Sequence, residues 1–359
     1  MHKFIKSLFT TLIMLVGLTL FPDKQVMAFC NPYNLATGKS HVATSSSSDI
    51  DLANMLSLSS NYSVTKSSNF SAFKIGCQTS GETLYYRNGI EGGYIVKFNT
   101  GDYESYIRFT ATIPVTSKSF TVGFISQDYP ASEFDTDITI NAEVVDGTAY
   151  DASTSTGNAE IPLMYLISSN GNTTYPTASA LRGFVATNAA AETASFNDLK
   201  GFASINVAFV PVSTTCSIQN QQFTLPSTTL FTLKSGDYSD TRFSIPLSCS
   251  GSIDSKATKT FNLRAYSNDI VDSANYIVRN ASSTSSGIGF QLFNTLSDPL
   301  KFTTGYDSAS TSLAAMTRGK DLVSSLTSID IGARYKIFDA AKASPGTVVG
   351  TIIIYMEYE

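Results

Sequence analysis

Tryptophan is absent from the 359 residues, histidine occurs twice, and charged side chains make up only 15%. Each scarcity closes off a class of function. With only His2 and His41 the chain is poor in the side chain that most often moves protons near neutral pH. No G-x-S-x-G, phosphate-binding glycine loop or H-E-x-x-H stretch makes up for this. The four cysteines lack the close C-x-x-C spacing that zinc sites favour, so no metal is expected. A net charge of −5 has the wrong sign for nucleic acid or anionic lipid. Beyond residue 21 no apolar run reaches the ~20 residues of a membrane-spanning helix.

What is present begins with an address. Met1-His-Lys-Phe-Ile-Lys6 is basic, residues 8–21 are apolar, and Val26-Met-Ala28 offers small residues for cleavage. This is the pattern of a secretory signal peptide spanning 1–28, with Phe29 as the mature N-terminus. Its removal takes away Lys3, Lys6, Lys24 and Asp23 and leaves the rest more acidic. At ~100–200 residues per domain the remainder suggests two domains. In an exported chain four cysteines are expected as disulfides, and four allow three connectivities. The local choice is Cys30 with Cys77 and Cys216 with Cys249, one bridge per domain.

Apolar and polar residues alternate in short segments: 94–98, 106–113, 119–125, 138–145, 161–167, 181–185 and 202–210. Gly, Asn, Asp and Pro punctuate them, which predicts an all-β sandwich or barrel. Residues 186–194 read as a short helix or mobile loop. A short linker at 211–215 separates a second set of strands at 222–226, 242–249, 259–266, 288–293 and 329–337, plus the last stretch. That makes six, where an immunoglobulin-like sandwich wants seven.

The last fourteen residues, Gly346 to Glu359, carry the rest of the reading. Val348, Gly350, Ile352, Ile354, Met356 and Tyr358 share one face of an extended chain; Val349, Thr351, Ile353, Tyr355 and Glu357 share the other. Both faces are largely apolar, so cover is expected on both sides, and the free backbone edge asks for a strand from outside. With its penultimate Tyr358 and with Gly346, this strand resembles the chaperone-recognition strand of chaperone–usher fimbrial subunits. Cys216…Cys249, Gly287-Ile-Gly-Phe-Gln-Leu-Phe293 and Ile329-Asp-Ile-Gly-Ala-Arg-Tyr335 extend the resemblance. It implies a pilin domain over 213–359, an incomplete immunoglobulin-like fold lacking its last strand. A periplasmic chaperone, and then the neighbouring subunit at the outer-membrane usher, would fill the gap along Gly346, Val348, Ile352, Ile354, Met356 and Tyr358. Shaft subunits carry a donor extension before the first pilin cysteine; here a whole domain precedes Cys216. The resemblance therefore implies a fimbrial tip adhesin at the cell surface, with a receptor-binding, lectin-like domain over 29–212.

The site within that domain is less legible. Asp128, Glu133, Asp135 and Asp137 form an acidic loop whose spacing is not that of an EF-hand, so solvated carboxylates are expected there rather than Ca²⁺. A sugar site needs short polar groups and an aromatic face. Tyr85, Tyr86, Tyr94, Tyr103, Tyr106 and Tyr129 could supply the face. In type 1 fimbrial adhesins the terminal amine and residues after the second cysteine help form the pocket; the resemblance thus implies Phe29, Thr79, Ser80 and Glu82. Polarity and position add Asp128, Asp135 and Asn188. The expected partner is a host glycan or glycoprotein, with no cofactor and no catalysis. The competing expectations are a structural tip or initiator subunit whose first domain binds protein, and a secreted glycan hydrolase.

Overall fold

Period-two burial runs through the strands: in Glu104–Thr112 and Asp137–Val145, buried and exposed side chains alternate along most of the length. A computed structural model describes residues 30–34, 43–45, 49–70, 73–77, 82–99, 104–120, 127–147, 153–168, 182, 199–236 and 240–358. The expected leader, the 186–194 helix or loop, and all but Arg182 of the 181–185 strand lie outside the described residues. The described protein is all-β.

In chain order the first strands are β1 (Cys30–Asn34), β2 (Ala43–Thr44), β3 (Ile50–Asp51), β4 (Asn61–Ser67), β5 (Phe73–Cys77), β6 (Glu82–Asn88) and β7 (Tyr94–Asn99). Then come β8 (Glu104–Thr112), β9 (Ser117–Phe120), β10 (Gln127–Pro130), β11 (Asp137–Val145), β12 (Ser153–Ser155), β13 (Asn158–Ser168) and β14 (Leu199–Ala208). They build a small sheet in the order β1-β5-β10, one in the order β12-β7-β8-β11-β4, and one in the order β2-β14-β13-β6-β9 with β3 also on β14. One core unites them: Ile107, Phe109 and Ile140 from one sheet meet Leu84, Leu166 and Ile205 from another and Ile75 from the third. This is sheet-on-sheet packing of inward-facing alternate residues. Gly89 permits the crowding at the bulged middle of β13, since a Cβ there would lie 2.5 Å from the carbonyl oxygen of Pro162.

The remaining strands are β15 (Thr215–Ile218), β16 (Thr241–Ser250), β17 (Ser252–Ile253), β18 (Lys256–Ala257), β19 (Phe261–Tyr266) and β20 (Ile270–Asp272). After them run β21 (Ile277–Val278), β22 (Ile288–Phe293), β23 (Ser312–Met316), β24 (Ser328–Ile337) and β25 (Ile353–Tyr358). A sheet β15-β16-β24-β22-β21-β20 and a sheet β23-β19-β25 enclose a second core of Ile245, Phe261, Leu263, Leu292, Met316 and Ile329. Cys216 and Cys249 stand opposite each other on β15 and β16 and are disulfide-bonded, with Cα atoms 4.0 Å apart. Cys30 stands opposite Cys77 in the β1–β5 register.

Two expectations change. The strand expected at 222–226 is irregular chain that leads to a short helix, Leu230–Ser235, capped by Thr229. Pro226 has no N–H for a ladder, and Phe223 is held by its ring against Phe243, 4.4 Å between centroids, instead of by a strand partner. The second set also holds more strands than the six expected, because β15, β17, β18, β20, β21 and β23 are too short for alternation to be read.

Among the described residues, the β17–β18 hairpin joins the two parts. The β17–β18 hairpin turns at Asp254 and Ser255, both with left-handed backbone (φ 50° and 60°), and delivers Ile253 into the first core at 2% exposure. Asp254 N–H donates to Leu56 O (2.8 Å) and Ser255 N–H to Ser57 O (2.9 Å), so backbone bonds tie the hairpin tip across the junction. At its base Thr214 and Thr258, both buried, exchange bonds: each backbone N–H donates to the other's hydroxyl, at 2.6 and 2.7 Å. Ile253→Ala is therefore expected to cost ~2–5 kcal/mol, and thermal melts should show the loss in the transition of the first core, although residue 253 lies beyond it in sequence.

Candidate functional site: the open edge of the last strand

β25 forms a six-residue antiparallel ladder with β19, from Phe261 opposite Tyr358 to Tyr266 opposite Ile353. Among the described residues it pairs with β19 alone, so its other backbone edge is open. Ile352, Ile354 and Met356 pack on the second core and stay only partly buried. β4, an edge strand of the first set, is blunted in the usual way. It shows Ser63, Thr65 and Ser67 to solvent, while Lys66 lines an inward crevice with Ile138 and Leu163. The face that β25 turns to the core carries no such charge.

The approach to β25 is fixed before the ladder starts. Gly346 (φ 150°) lies so close to the 284–285 backbone that a Cβ would sit 2.5 Å from Ser285 N. Thr347 O accepts from the N–H groups of Thr284 and Ser285, and Val349 O from that of Asn280. Asp269 Oδ2 takes the Thr351 N–H at 3.0 Å, and Thr351 O accepts from Ser267 Oγ at 2.6 Å. These bonds hold 346–351 against the neighbouring sheet. Of the expected acceptor residues, Ile354, Met356 and Tyr358 are therefore on the ladder, Ile352 directly precedes it, and Gly346 and Val348 belong to the approach. Tyr358 is half exposed, its ring edge-on to Phe261.

The far face of β25 is covered in part by its own chain, at Tyr355 and Glu357, while Ile353 stays exposed. Residues 303–311 cross it as a strap. Tyr355 Oη donates to Asp307 O (3.0 Å) and accepts from Asp307 N–H (3.1 Å). The rings of Tyr266, Tyr306 and Tyr355 pack within 4.8–5.9 Å of one another. Arg264 Nε donates to Glu357 at 2.8 Å and its Nη1 to Ser310 O at 2.6 Å. Nothing in the sequence flagged Tyr306, Asp307 or Arg264; the strap has no alternation and brings its contacts from far along the chain.

Residues 203–359 match the family model described as Fimbrial protein. Over that stretch, a little under half of the chain, the protein is similar to fimbrial proteins. The chain is also similar to the CupB6 tip adhesin from Pseudomonas aeruginosa, with 12% identity over 92% of this chain and 93% of that one, at a TM-score of 0.44. A second similarity is to the P pilus rod subunit PapA, with 12% identity over 42% of this chain and 95% of that one, at a TM-score of 0.29. No curated relative matches.

Ahead of residue 203 the polar candidates are scattered. Phe29, Thr79, Ser80 and Asn188 lie outside the described residues. Glu82 opens β6, its backbone opposite Phe120. Asp128 is exposed on β10 opposite Gly76. Asp135 follows the 3-10 turn Ala131–Phe134 and faces inward: its Oδ1 accepts from Phe70 N–H (2.7 Å) and Ser68 Oγ (3.3 Å). Among the tyrosines, Tyr86 is buried and donates to Phe134 O, and Tyr94 lies under the Arg182 guanidinium, 5.4 Å from its ring centroid. Tyr129 packs against the first core, and Tyr103 lies outside the described residues.

Burial, and secondarily the Asp135 carboxylate, push the Tyr86 phenol up to about 12. Its folded value exceeds the unfolded one of ~10, so the stability carried by neutral Tyr86 is complete below pH ~10 and is lost as pH rises through about 12. Asp135→Ala should cost ~1–3 kcal/mol by stranding the Phe70 N–H. It should also move the Tyr86 ionisation to lower pH, followed by tyrosinate absorbance against a Tyr86→Phe control.

Proposed function

We propose that the protein is a fimbrial tip adhesin, exported through the periplasm and displayed at the cell surface. Its fimbrial domain, taken as 213–359, accepts a donated strand. The observation that carries this reading is the open edge of β25 beside the half-covered Ile352, Ile354 and Met356. Such an edge is a template for β-augmentation, in which backbone bonds supply affinity and alternate side chains entering the core supply specificity. A periplasmic chaperone occupies it first, and a neighbouring subunit replaces the chaperone at the outer-membrane usher.

The tip position is supported by what precedes Cys216. A shaft subunit needs a free extended segment there, whereas here β14 is built into the six-stranded sheet and Thr214 is fastened to Thr258. The residues before the fimbrial domain cannot leave to complete another subunit without unfolding the first core. That first domain, 29–212, stapled by Cys30–Cys77, is the receptor-binding part. Its ligand is a host glycan or glycoprotein, met by Phe29, Thr79, Ser80, Glu82, Asp128 and Asn188; Asp135, expected among them, is engaged by Phe70 N–H instead. The protein works by binding, without catalysis.

Deleting 351–359 is expected to abolish capture by the periplasmic chaperone and to deplete the protein from the periplasm. Normal accumulation and fimbrial display of the truncated chain would overturn the strand-acceptor reading. A glycan array probed with the mature protein tests the lectin role separately. Binding to a defined sugar class supports it, and binding confined to a protein receptor favours the structural tip subunit.

A further inference from the structure

The cover over the far face of β25 has a consequence for how the open edge works. A strand bonded along one edge only, with half its inner face wet, has little to hold its register, since a one-residue slip would exchange its two faces. Here both faces are distinguished by fixed partners. Ile354 and Met356 face the core; Tyr355 and Glu357 face the strap and Arg264. The Tyr355 phenol is unusual in meeting both polar groups of one peptide residue, accepting from Asp307 N–H and donating to Asp307 O. Ser310 Oγ and N–H also donate to Asp307 O, so the loop that receives Tyr355 is itself shaped before the strand docks. Arg264 ties the same strap to Glu357 through its bonds to Ser310 O and the carboxylate.

We propose that the 303–311 strap is a register clamp for β25, and that Tyr355, seconded by Glu357 and Arg264, is a positioning residue for strand acceptance. The clamp grips the strand on the face turned away from the core, and so holds the acceptor edge in place before any partner arrives. This inference rests on the strand-acceptor reading above. A slipped β25 would turn Tyr355 and Glu357 toward the core and present an edge with the wrong side chains beside it. The clamp makes that state unfavourable at a site remote from the groove. Preorganising an acceptor in this way lowers the ordering cost of association.

The test uses the mature full-length chain, refolded by dilution, with a synthetic peptide of alternating valine and threonine as the donor probe. Before peptide is added, Tyr355→Phe should speed amide exchange in 353–358 roughly five- to thirtyfold, the factor carried by one or two hydrogen bonds. Exchange in 288–293, on the opposite sheet, should not change. Peptide uptake should slow accordingly. Tyr306→Ala alters a ring that is 73% exposed, so it leaves the fold intact and should produce the same contrast in weaker form. Equal acceleration in both segments, or no change in 353–358, would overturn the clamp. Failure of the unmodified chain to take up peptide would instead overturn the strand-acceptor reading, and the exchange contrast would still decide the clamp.

Discussion

An unsatisfied backbone edge governs this molecule. Buried N–H and C=O groups are almost always paired, and a sheet edge next to apolar side chains is where a soluble protein is most exposed to unwanted association. β25 has that edge, with Ile354 and Met356 packed beside it on the core. The surrounding chain is arranged around it: Asp269 and Ser267 fix where the strand starts, Gly346 lets the chain approach the 284–285 backbone, and the 303–311 strap meets the other face at Tyr355.

The sequence makes this arrangement legible in part. Long strands with clean alternation, such as β8, β11 and β16, can be read directly, because their burial period equals their side-chain period. So can the Cys216–Cys249 pair. Strands of two or three residues carry no period, which hides β17, β18, β20 and β21. The stretch 222–226 misleads for the opposite reason: Phe223 and Leu225 alternate, yet Pro226 and the ring contact with Phe243 suit irregular chain. Most instructive is the cover on the far face of β25. Its need follows from Ile353 and Tyr355, but its source does not, since Tyr306 and Asp307 lie in a turn-rich segment with no signal of its own.

Polar sites are harder to read than apolar ones for a physical reason. A carboxylate in a loop looks the same in sequence whether it awaits a ligand or closes a turn. Asp128 and Asp135 are seven positions apart and equally acidic, yet Asp128 is exposed on a strand while Asp135 receives the Phe70 N–H. What separates them is the local path of the chain through the 3-10 turn Ala131–Phe134, which composition does not encode.

The Ile253 hairpin bears on how such a protein can diversify. Exchanging one part of a chain for another is simple when a flexible tether joins them. Here residues 252–255 contribute a side chain to the interior of the first core and backbone bonds to Leu56 and Ser57. A chimera that exchanged everything before Cys216 but kept the hairpin would leave a peg without its socket. The natural unit of exchange is therefore larger than the cysteine boundary suggests and includes residues 252–257.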